Sequence, residues 1–381
     1  MKKICFVATT DFVVRAFLIN HLKALSNNYE ITVLVSTSNS MWLSELNIKA
    51  KVIPINISRK INFFTDFLSL ITLIRLFSKH HYDAIHSITP KAGLLAMLAA
   101  KLCNIPLRVH TFTGQVWATN YGLKRFILKK IDVFFARLAT HLIVDSPSQL
   151  DFLLRERVVL KEKCYVFGKG SVSGVDLAKF TSDSKAKSEI RSDLNIPSDA
   201  ILYLFLGRLT LDKGVLDLAK AFCMLPNDIA YLAFVGPDEQ EMTNSLQEIL
   251  TEKVSYIRYL SYTNTPEKLM NAADVLVLPS YREGFGTVVI EAAAVGIPTI
   301  ASRIYGITDA IIDNETGLLH ECKNIIEIYE KMHLLANNRN FRQMLGLNAR
   351  KRVIKDFDAN LLTQNWLAFY STHLPTDANI Q

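Results

Sequence analysis

Glycine, proline and cysteine are scarce in this chain of 381 residues, which contains 15, 11 and 5 of them respectively. So little glycine and proline excludes collagen-like and linker-like chains. The cysteines lie far apart and form no C-x-x-C pair, which favours buried thiols over a disulfide framework or a zinc site. Apolar runs of the roughly 20 residues that span a bilayer are also missing, so we expect no transmembrane helix.

Half of the residues are hydrophobic and 21% are charged, so the chain can bury sizeable cores. The net charge of +7 is distributed unevenly. Residues 1–180 carry 24 basic and 11 acidic side chains, whereas residues 181–381 carry 19 and 25. This asymmetry suggests that the first half meets an anionic surface. A simple difference in composition between two domains would give the same counts.

Short β-rich apolar runs alternate with helix-length stretches along most of the chain. A first series begins at Ile4–Thr9, and a second begins at Ile201–Leu206 and includes Val254–Ile257. The polar residues 181–199 lie between them and fit a linker or a surface helix. Strand–helix alternation is typical of βαβ units and of parallel sheets covered on both faces.

We therefore predict an α/β fold with two doubly wound, Rossmann-like domains, residues 1–180 and residues 181–359. Ligands of doubly wound sheets bind beyond the carboxyl ends of the strands. The cleft between the two domains is accordingly the expected active site.

The segment GRLTLDKG follows the predicted strand YLFL, and its first residue, Gly207, would let the chain turn sharply. Arg208 and Lys213 would project from this loop toward a common point. A guanidinium and an ammonium together are a good receptor for a diphosphate. The alternative is a solvated turn in which Lys213 pairs with Asp212, and this motif alone does not decide between them.

A second segment, REGFGTVVIE, follows the predicted strand DVLVLP. Gly284 and Gly286 open a helix from about Thr287, and the exposed N–H groups of a helix start favour anions. Glu283 precedes this helix and Glu291 lies about one and a half turns into it, so they can reach different parts of one ligand. A surface ion pair is the alternative for Glu291, but its apolar neighbours argue against that.

Together, GRL-x-x-DKG and E-G-F-G-x-x-x-x-E resemble the retaining nucleotide-sugar glycosyltransferases of family 4, which have the GT-B fold. Segments 86–93, 110–117 and 168–176 resemble the subgroup that extends polyprenyl-diphosphate-linked glycans for bacterial O-antigens and capsules. The resemblance implies transfer of an N-acetylhexosamine or hexose from a UDP-sugar to such a glycan, with no metal and no other cofactor. It also implies an N-terminal acceptor domain, a C-terminal nucleotide-sugar domain and a final helix, about 360–376, that packs back on the first domain.

The resemblance assigns roles to the motif residues. Arg208 and Lys213 would hold the donor diphosphate and stabilise the leaving nucleoside diphosphate. Glu291 would bind the ribose hydroxyls and Glu283 the transferred sugar. His110 would lie beside the donor sugar, whereas without the resemblance a strand-end histidine bonded to its own loop would be favoured. The other donor-side residues are Gly207, Gly284, Phe285, Gly286 and Thr287.

The loop after the first predicted strand, TTDFVVR, departs from the family, because many members have a glycine-rich loop there. We expect Thr10, Asp11 and Arg15 to shape the acceptor site instead of binding a phosphate. The remaining residues predicted on the acceptor side are Lys91, Thr113 and Gly114.

Residues 123–137 combine apolar and basic side chains at helical spacing. Such a helix can lie on an anionic membrane, although a core-facing helix with a solvated basic side is the ordinary alternative. The second candidate segment is Ile61–Phe77. With a lipid-linked acceptor, these segments imply a cytoplasmic protein that is peripheral on the inner face of the cytoplasmic membrane. The basic residues predicted to face the membrane are Lys124, Arg125, Lys129 and Lys130.

A sugar-nucleotide 2-epimerase of the same fold is the main alternative function, but it usually lacks the GRL-x-x-DKG arrangement. A nicotinamide-dependent oxidoreductase would need glycines in the first βα loop, which has none. Although the pI is about 9.0, helix-turn-helix, zinc-finger and RNP-type motifs are missing, so we expect no nucleic-acid partner. The histidine spacings predict no metal site.

Overall fold

The structure, a computed structural model, describes residues 1–57, 62–226 and 230–375. The chain divides into two units of Rossmann-like architecture. Unit 1 comprises Met1–Ser173 together with the residues from Ala359 onward, and unit 2 comprises Gly174–Asp358. The predicted α/β class with two doubly wound parallel sheets is confirmed.

Among the described residues, unit 1 has seven parallel strands in the order β3-β2-β1-β4-β5-β6-β7. They are β1 (Lys3–Thr10), β2 (Glu30–Ser36), β3 (Ala50–Pro54), β4 (Ala84–Ile88), β5 (Leu107–Phe112), β6 (His141–Val144) and β7 (Cys164–Tyr165). The helices encoded between them are α1 (Asp11–Phe17), α2 (Ile19–Leu25), α3 (Trp42–Glu45), α4 (Phe63–His80), α5 (Pro90–Leu102), α6 (Gly122–Leu138) and α7 (Pro147–Arg155). Short 3-10 helices span Val116–Thr119 and Lys161–Lys163.

Unit 2 has six parallel strands among its described residues, in the order β10-β9-β8-β11-β12-β13. They are β8 (Ile201–Leu206), β9 (Ala230–Val235), β10 (Ile257–Leu260), β11 (Val275–Leu278), β12 (Thr299–Ser302) and β13 (Gly317–His320). The helices are α8 (Ser184–Asp193), α9 (Val215–Cys223), α10 (Met242–Ile249), α11 (Pro266–Ala272), α12 (Thr287–Val295), α13 (Ile307–Ala310), α14 (Ile325–Asn337) and α15 (Arg339–Asp356), and the 3-10 helices are Leu211–Lys213 and Thr251–Tyr256.

The apolar runs of the sequence are continuous because the sheets are buried on both faces. In β1, Ile4 and Phe6 belong to one hydrophobic core, whereas Cys5 and Val7 belong to the core on the opposite face. A strand covered on one side only would alternate apolar and polar residues. The prediction of a strand at Val254–Ile257 was wrong. The first three of these residues lie in a 3-10 helix, and β10 begins only at Ile257.

The boundary between the units lies after Ser173 and not at residue 180. The backbone N–H of Val175 donates to the carbonyl of Phe357 at 2.8 Å, and both Val175 and Phe180 are buried in the core of unit 2. These contacts attach the segment to unit 2 before the polar stretch begins. That stretch contains the surface helix α8, whose N-cap is Asp183.

The last described helix, α16 (Ala359–His373), returns the chain to unit 1. Its Trp366 is fully buried between the imidazole rings of His21 and His86, with ring centroids 4.7 and 4.9 Å away. The helix therefore completes the core of unit 1, although residue 376 of the predicted range lies outside the described residues. In the described parts of the chain, no helix is both long and apolar enough to cross a membrane.

Candidate active site

Both sequence motifs lie where the strand order of unit 2 reverses. Strands β8 and β11 are parallel neighbours, with Tyr203 opposite Val275, and the later strands extend from them in opposite directions. The 207–214 loop follows β8, and the 279–286 loop follows β11. Such a reversal opens a crevice at the carboxyl ends of the strands, which is where doubly wound sheets bind ligands.

The two loops approach each other closely at Gly214. This residue has φ +68°, and a Cβ placed there would lie 2.1 Å from the carbonyl oxygen of Pro279. Only glycine fits this position. Gly207, which was predicted to make the sharp turn, is less constrained, since its Cβ would meet nothing closer than 3.5 Å.

Lys213 reaches across to the 279–286 loop. Its Nζ lies 2.5 Å from Oε1 of Glu283, and the hydroxyl of Ser280 donates to the same oxygen at 2.7 Å. The alternative pairing of Lys213 with Asp212 is not what the structure has. Asp212 instead accepts a hydrogen bond of 2.9 Å from Nε of Arg282. Opposite charges thus hold the two loops together.

Arg208 pairs with a residue that the sequence motifs did not include. Its Nη1 lies 2.5 Å from Oε2 of Glu239, in the 236–241 loop that follows β9. The backbone N–H of Leu209 donates to the carbonyl of Pro237 at 2.9 Å, which joins this third loop to the first. The signal available in the sequence was weak, namely a G-P-D-E segment directly after an apolar strand.

Tyr281 is a second residue that the sequence reasoning missed. Its hydroxyl donates to Asp217 on α9 at 2.7 Å, and its backbone N–H donates to the carbonyl of Asp212 at 2.8 Å. Tyr281 therefore fixes the 279–286 loop to the 207–214 loop independently of the ion pairs.

The helix predicted after this loop begins at Thr287 as α12, with Gly286 as its N-cap. Phe285 is buried, and its ring packs 5.3 Å from that of Phe357, so it anchors the loop in the core. Gly284 lies beside the segment before α13, because a Cβ on Gly306 would meet its carbonyl oxygen at 2.2 Å. The first turn of α12 is thereby held at the carboxyl edge of the sheet.

Glu291 lies on α12 and is partly buried. Burial raises the pKa of its carboxyl group to about 7. The positive charge of Lys179 opposes this rise in the pKa, and the negative charge of Glu267 adds to it. Lys179 itself lies 3.6 Å from Glu267. Within the described ranges the Glu291 carboxylate has no hydrogen bond or ion pair, so the surface ion pair considered above is not formed. Its oxygens are available to accept hydrogen bonds.

His110 lies on β5 of unit 1 and is buried. Its Nδ1 lies 2.8 Å from the hydroxyl of Ser87 on the neighbouring strand, not on its own loop. Gly93 makes room for the ring, since a Cβ there would lie 2.6 Å from Cε1. Burial lowers the pKa of His110 to about 3, so the imidazole is neutral at physiological pH. Nε2 has no hydrogen-bond partner in the part of the chain that the structure describes.

The strand order of unit 1 reverses between β1 and β4. Thr10 ends β1 and Asp11 begins α1, so both lie at this reversal. Oδ2 of Asp11 is 3.6 Å from Nε of Arg15, whose guanidinium stacks on Trp42 at 4.1 Å from the ring centroid. These residues form one cluster at the carboxyl edge of the sheet.

Lys91 lies in the first turn of α5, directly after β4. Its Nζ is 2.6 Å from Oδ1 of Asp66 on α4. Thr113 and Gly114 follow β5, the next strand in the sheet. All the predicted acceptor-side residues thus follow the adjacent strands β1, β4 and β5.

Helix α6 exposes four of its large apolar side chains. Leu123, Phe126, Ile127 and Phe134 are all exposed, as are the cations Lys124 and Lys130. The inner side of the helix faces the core, as in the core-facing alternative: it buries Phe135, Ala136 and Asp132, and Leu128 and Ile131 pack partly buried against the same cluster. Burial raises the pKa of Asp132 to about 7, although its hydrogen bond from Trp117 lowers it in part.

Arg125 and Lys129 do not share the outer face of α6. They lie 2.7 and 2.5 Å from the two carboxylate oxygens of Glu156. Helix α4 also exposes large apolar side chains, namely Phe63, Phe64 and Phe67 in its first turns. Ile61, the first residue of the predicted segment, lies outside the described residues.

Comparison with known proteins decides the family. A family model described as "Glycosyl transferases group 1" matches residues 186–352, and one described as "Glycosyl transferase 4-like" matches residues 3–146. The capsular polysaccharide biosynthesis glycosyltransferase CapM of Staphylococcus aureus is 31% identical over 330 residues, which is 85% of each chain. The chain belongs to glycosyltransferase family 4. The resemblance seen in the two motifs is thereby confirmed.

Two further relatives of this family 4 glycosyltransferase are each 27% identical to it. The UDP-Gal:alpha-D-GlcNAc-diphosphoundecaprenol alpha-1,3-galactosyltransferase of Escherichia coli is 27% identical over 319 residues, or 82% of this chain and 81% of that one. The N,N'-diacetylbacillosaminyl-diphospho-undecaprenol alpha-1,3-N-acetylgalactosaminyltransferase of Campylobacter jejuni is 27% identical over 358 residues, or 92% and 93%. These relatives are glycosyltransferases, so the comparisons do not support the epimerase alternative.

The fold of this family 4 glycosyltransferase matches that of HepE from Anabaena, solved with UDP and glucose. The TM-score is 0.84 at 18% identity, with 98% of this chain and 100% of that chain covered. The predicted GT-B architecture is confirmed. Histidine, cysteine, aspartate and glutamate side chains form no group of three or more fit to hold a metal ion, as far as the described residues extend.

Proposed function

We propose that this glycosyltransferase transfers a sugar from a UDP-sugar to a polyprenyl-diphosphate-linked glycan in the synthesis of a bacterial surface polysaccharide. The observation that carries the proposal is the crevice of unit 2, where Arg208 and Lys213 lie on adjoining loops and Glu291 lies on helix α12. Support for the acceptor comes from the E. coli and C. jejuni relatives, both named for diphosphoundecaprenol-linked substrates. Support for capsule or O-antigen synthesis comes from the name of CapM.

The donor diphosphate is proposed to lie against Arg208 and Lys213. When the bond from the anomeric carbon to the diphosphate breaks, negative charge grows on the leaving group. Fixed cations aimed at that charge are typically the largest catalytic contribution. We propose that these side chains and the first turn of α12 neutralise the leaving group without a metal or other cofactor.

Retention of the anomeric configuration is the proposed stereochemical course. The E. coli relative is named as an α-1,3-transferase that uses UDP-galactose, whose sugar is α-linked, so its product keeps the configuration. We favour departure and attack on one face of the sugar, since no motif carboxylate is assigned to the other face. The transferred sugar is proposed to be an N-acetylhexosamine or a hexose. The contact of His110 with that sugar stays a prediction.

Thermal stability in the presence of sugar nucleotides tests this proposal directly. A ligand at about 100 times its dissociation constant stabilises a protein by about 2.7 kcal/mol. We expect one or more UDP-sugars to raise the melting temperature in chelator as well as with Mg²⁺, and Glu291→Ala to abolish the shift. No shift with any uridine nucleotide would contradict the donor assignment. The donor that gives the largest shift then identifies the sugar to use with lipid-linked acceptors.

The pKa of Glu291 predicts how donor binding depends on pH. Ribose hydroxyls donate to the ionised carboxylate, so binding favours the ionised form. Because burial raises the pKa to about 7, UDP affinity should rise by up to about tenfold from about pH 6 to about pH 8 and then level off.

Titration calorimetry of the wild type and of Glu291→Gln measures this effect. The variant should retain only the pH dependence of the nucleotide's own phosphate groups. If UDP affinity depended on pH equally in both proteins, the protonation state of Glu291 would have no influence on binding.

Peripheral attachment to an anionic membrane is also part of the proposal. Its support is the exposed face of α6, which combines four large apolar side chains with Lys124 and Lys130, and the exposed phenylalanines of α4. Amphipathic helices with basic polar faces bind membranes through buried apolar area and attraction to anionic lipids. We propose that unit 1 lies on the inner face of the cytoplasmic membrane through these two helices.

Vesicle flotation is the measurement for this attachment. Replacing both Lys124 and Lys130 by alanine should weaken binding to anionic vesicles roughly 30-fold, since each cation near the surface contributes about 1 kcal/mol. Replacing Phe63 and Phe64 by serine should weaken binding at both low and high salt.

Matched changes on unit 2 serve as controls. Lys185→Ala and Leu347→Ser alter exposed residues there and should leave flotation unchanged. Failure of the wild type to float at low salt would remove the membrane from the proposal.

A further inference from the structure

Three ion pairs surround the proposed diphosphate position. They are Arg208–Glu239 at 2.5 Å, Lys213–Glu283 at 2.5 Å and Arg282–Asp212 at 2.9 Å. Each of these three cations thus has a carboxylate partner within the protein. An incoming diphosphate either shares these cations with carboxylates or displaces them.

The pairs differ in how firmly they are held. In the Lys213–Glu283 pair the side chains are 19% and 13% exposed, and Glu283 also accepts from Ser280. In the Arg208–Glu239 pair they are 44% and 38% exposed. Ion pairs in contact with water contribute little stability, so they open at low cost. The Arg208–Glu239 pair is therefore the one that a diphosphate opens most readily.

The backbone keeps Glu239 close to Arg208 even when their contact opens. The 236–241 loop is tied to the 207–214 loop by the bond from Leu209 to Pro237 and by the side chain of Gln240, which accepts from the N–H of Leu211 at 2.8 Å. On its other side, Asp238 accepts from the N–H groups of Met242 and Thr243 in α10, both at 2.8 Å. The carboxylate stays within reach of the cation.

We propose that Glu239 is a resident counter-ion of Arg208, displaced by the donor's diphosphate and returned to Arg208 as the nucleoside diphosphate leaves. This rests on the proposed function of the same crevice. Arg208 exchanges one carboxylate for phosphate oxygens, which its planar fork can bind in bidentate fashion. Glu239 thereby weakens the binding of donor and product alike and speeds product release. It is a positioning residue, because it acts through Arg208.

Glu239→Gln keeps the shape of the side chain and removes its charge. The dissociation constants for UDP and for inorganic pyrophosphate should fall about two- to fivefold, the range expected for an exposed ion pair. High salt should reduce the difference in dissociation constant between Glu239→Gln and the wild type. In turnover assays KM for the donor should fall, and kcat should not rise, because UDP is released more slowly.

Two further variants make the test specific. Glu241→Gln removes the same charge from the same loop at an exposed residue and should bind UDP as the wild type does. In an Arg208→Ala background, Glu239→Gln should change UDP affinity no further, since the partner is gone.

The outcomes separate the two proposals. If the wild type binds UDP and Glu239→Gln binds it equally or more weakly, the counter-ion role is overturned while the proposed function stands. If the wild type binds neither UDP nor pyrophosphate, the proposed function fails and the counter-ion role fails with it.

Discussion

Replacing Lys213 by alanine should lower turnover by about 100- to 1,000-fold, which is the usual cost of removing one preorganised donor from a site of developing charge. The ammonium lies in the crevice of unit 2, 2.5 Å from Glu283, and is proposed to face the leaving diphosphate. Initial rates with the donor identified by thermal shift give the measurement.

Lys220→Ala is the matched control for this experiment, because Lys220 is an exposed lysine on the neighbouring helix α9. It should retain full activity. Circular dichroism should show both variants folded, since Glu283 keeps its hydrogen bond from Ser280 when Lys213 is removed. A Lys213→Ala enzyme with unchanged turnover would contradict the diphosphate assignment.

Replacing Trp366 by alanine should destabilise unit 1 by about 3–5 kcal/mol, as expected when a large buried aromatic side chain leaves a cavity. Trp366 lies between the rings of His21 and His86, and its Nε1 donates to the carbonyl of Val172 at 3.2 Å. Denaturant unfolding followed by circular dichroism measures the free energy of unfolding.

The control for this change is Leu361→Ala on the same helix, where the side chain is exposed. Its free energy of unfolding should change by less than about 0.5 kcal/mol, which is usual for surface substitutions. If both variants lost equal stability, the sandwich of rings would not be what holds α16 in place.

The sequence predicted the sheets and the crevice well, because apolar runs and glycines act through local geometry. It did not predict the ion-pair partners. Lys213 has an acidic neighbour in Asp212, but it pairs with Glu283, which lies 70 positions further along the chain. Glu239 was missed for the same reason, since its link to Arg208 exists only once β8 and β9 lie side by side.

Periodicity also left the orientation of α6 open. The spacing of its apolar residues predicts a helix with an apolar face, but not whether that face turns inward or outward. In the fold, Phe135 is buried on the inner side beside Asp132, whose carboxylate accepts a hydrogen bond of 2.7 Å from Trp117. Phe126 and Ile127, by contrast, are exposed. Contiguous exposed apolar patches often mark interaction sites, and the outer face of α6 therefore supports the proposed membrane contact.

The return of α16 to unit 1 has a consequence for synthesis on the ribosome. Unit 2 is encoded by one continuous stretch, so all of its residues emerge from the ribosome before those of α16. Unit 1 emerges first but must keep the surface around His21 and His86 uncovered until the last described helix arrives. Transiently exposed apolar surface of this kind makes a partly folded chain prone to aggregation. The second-encoded unit is therefore the first that can finish folding.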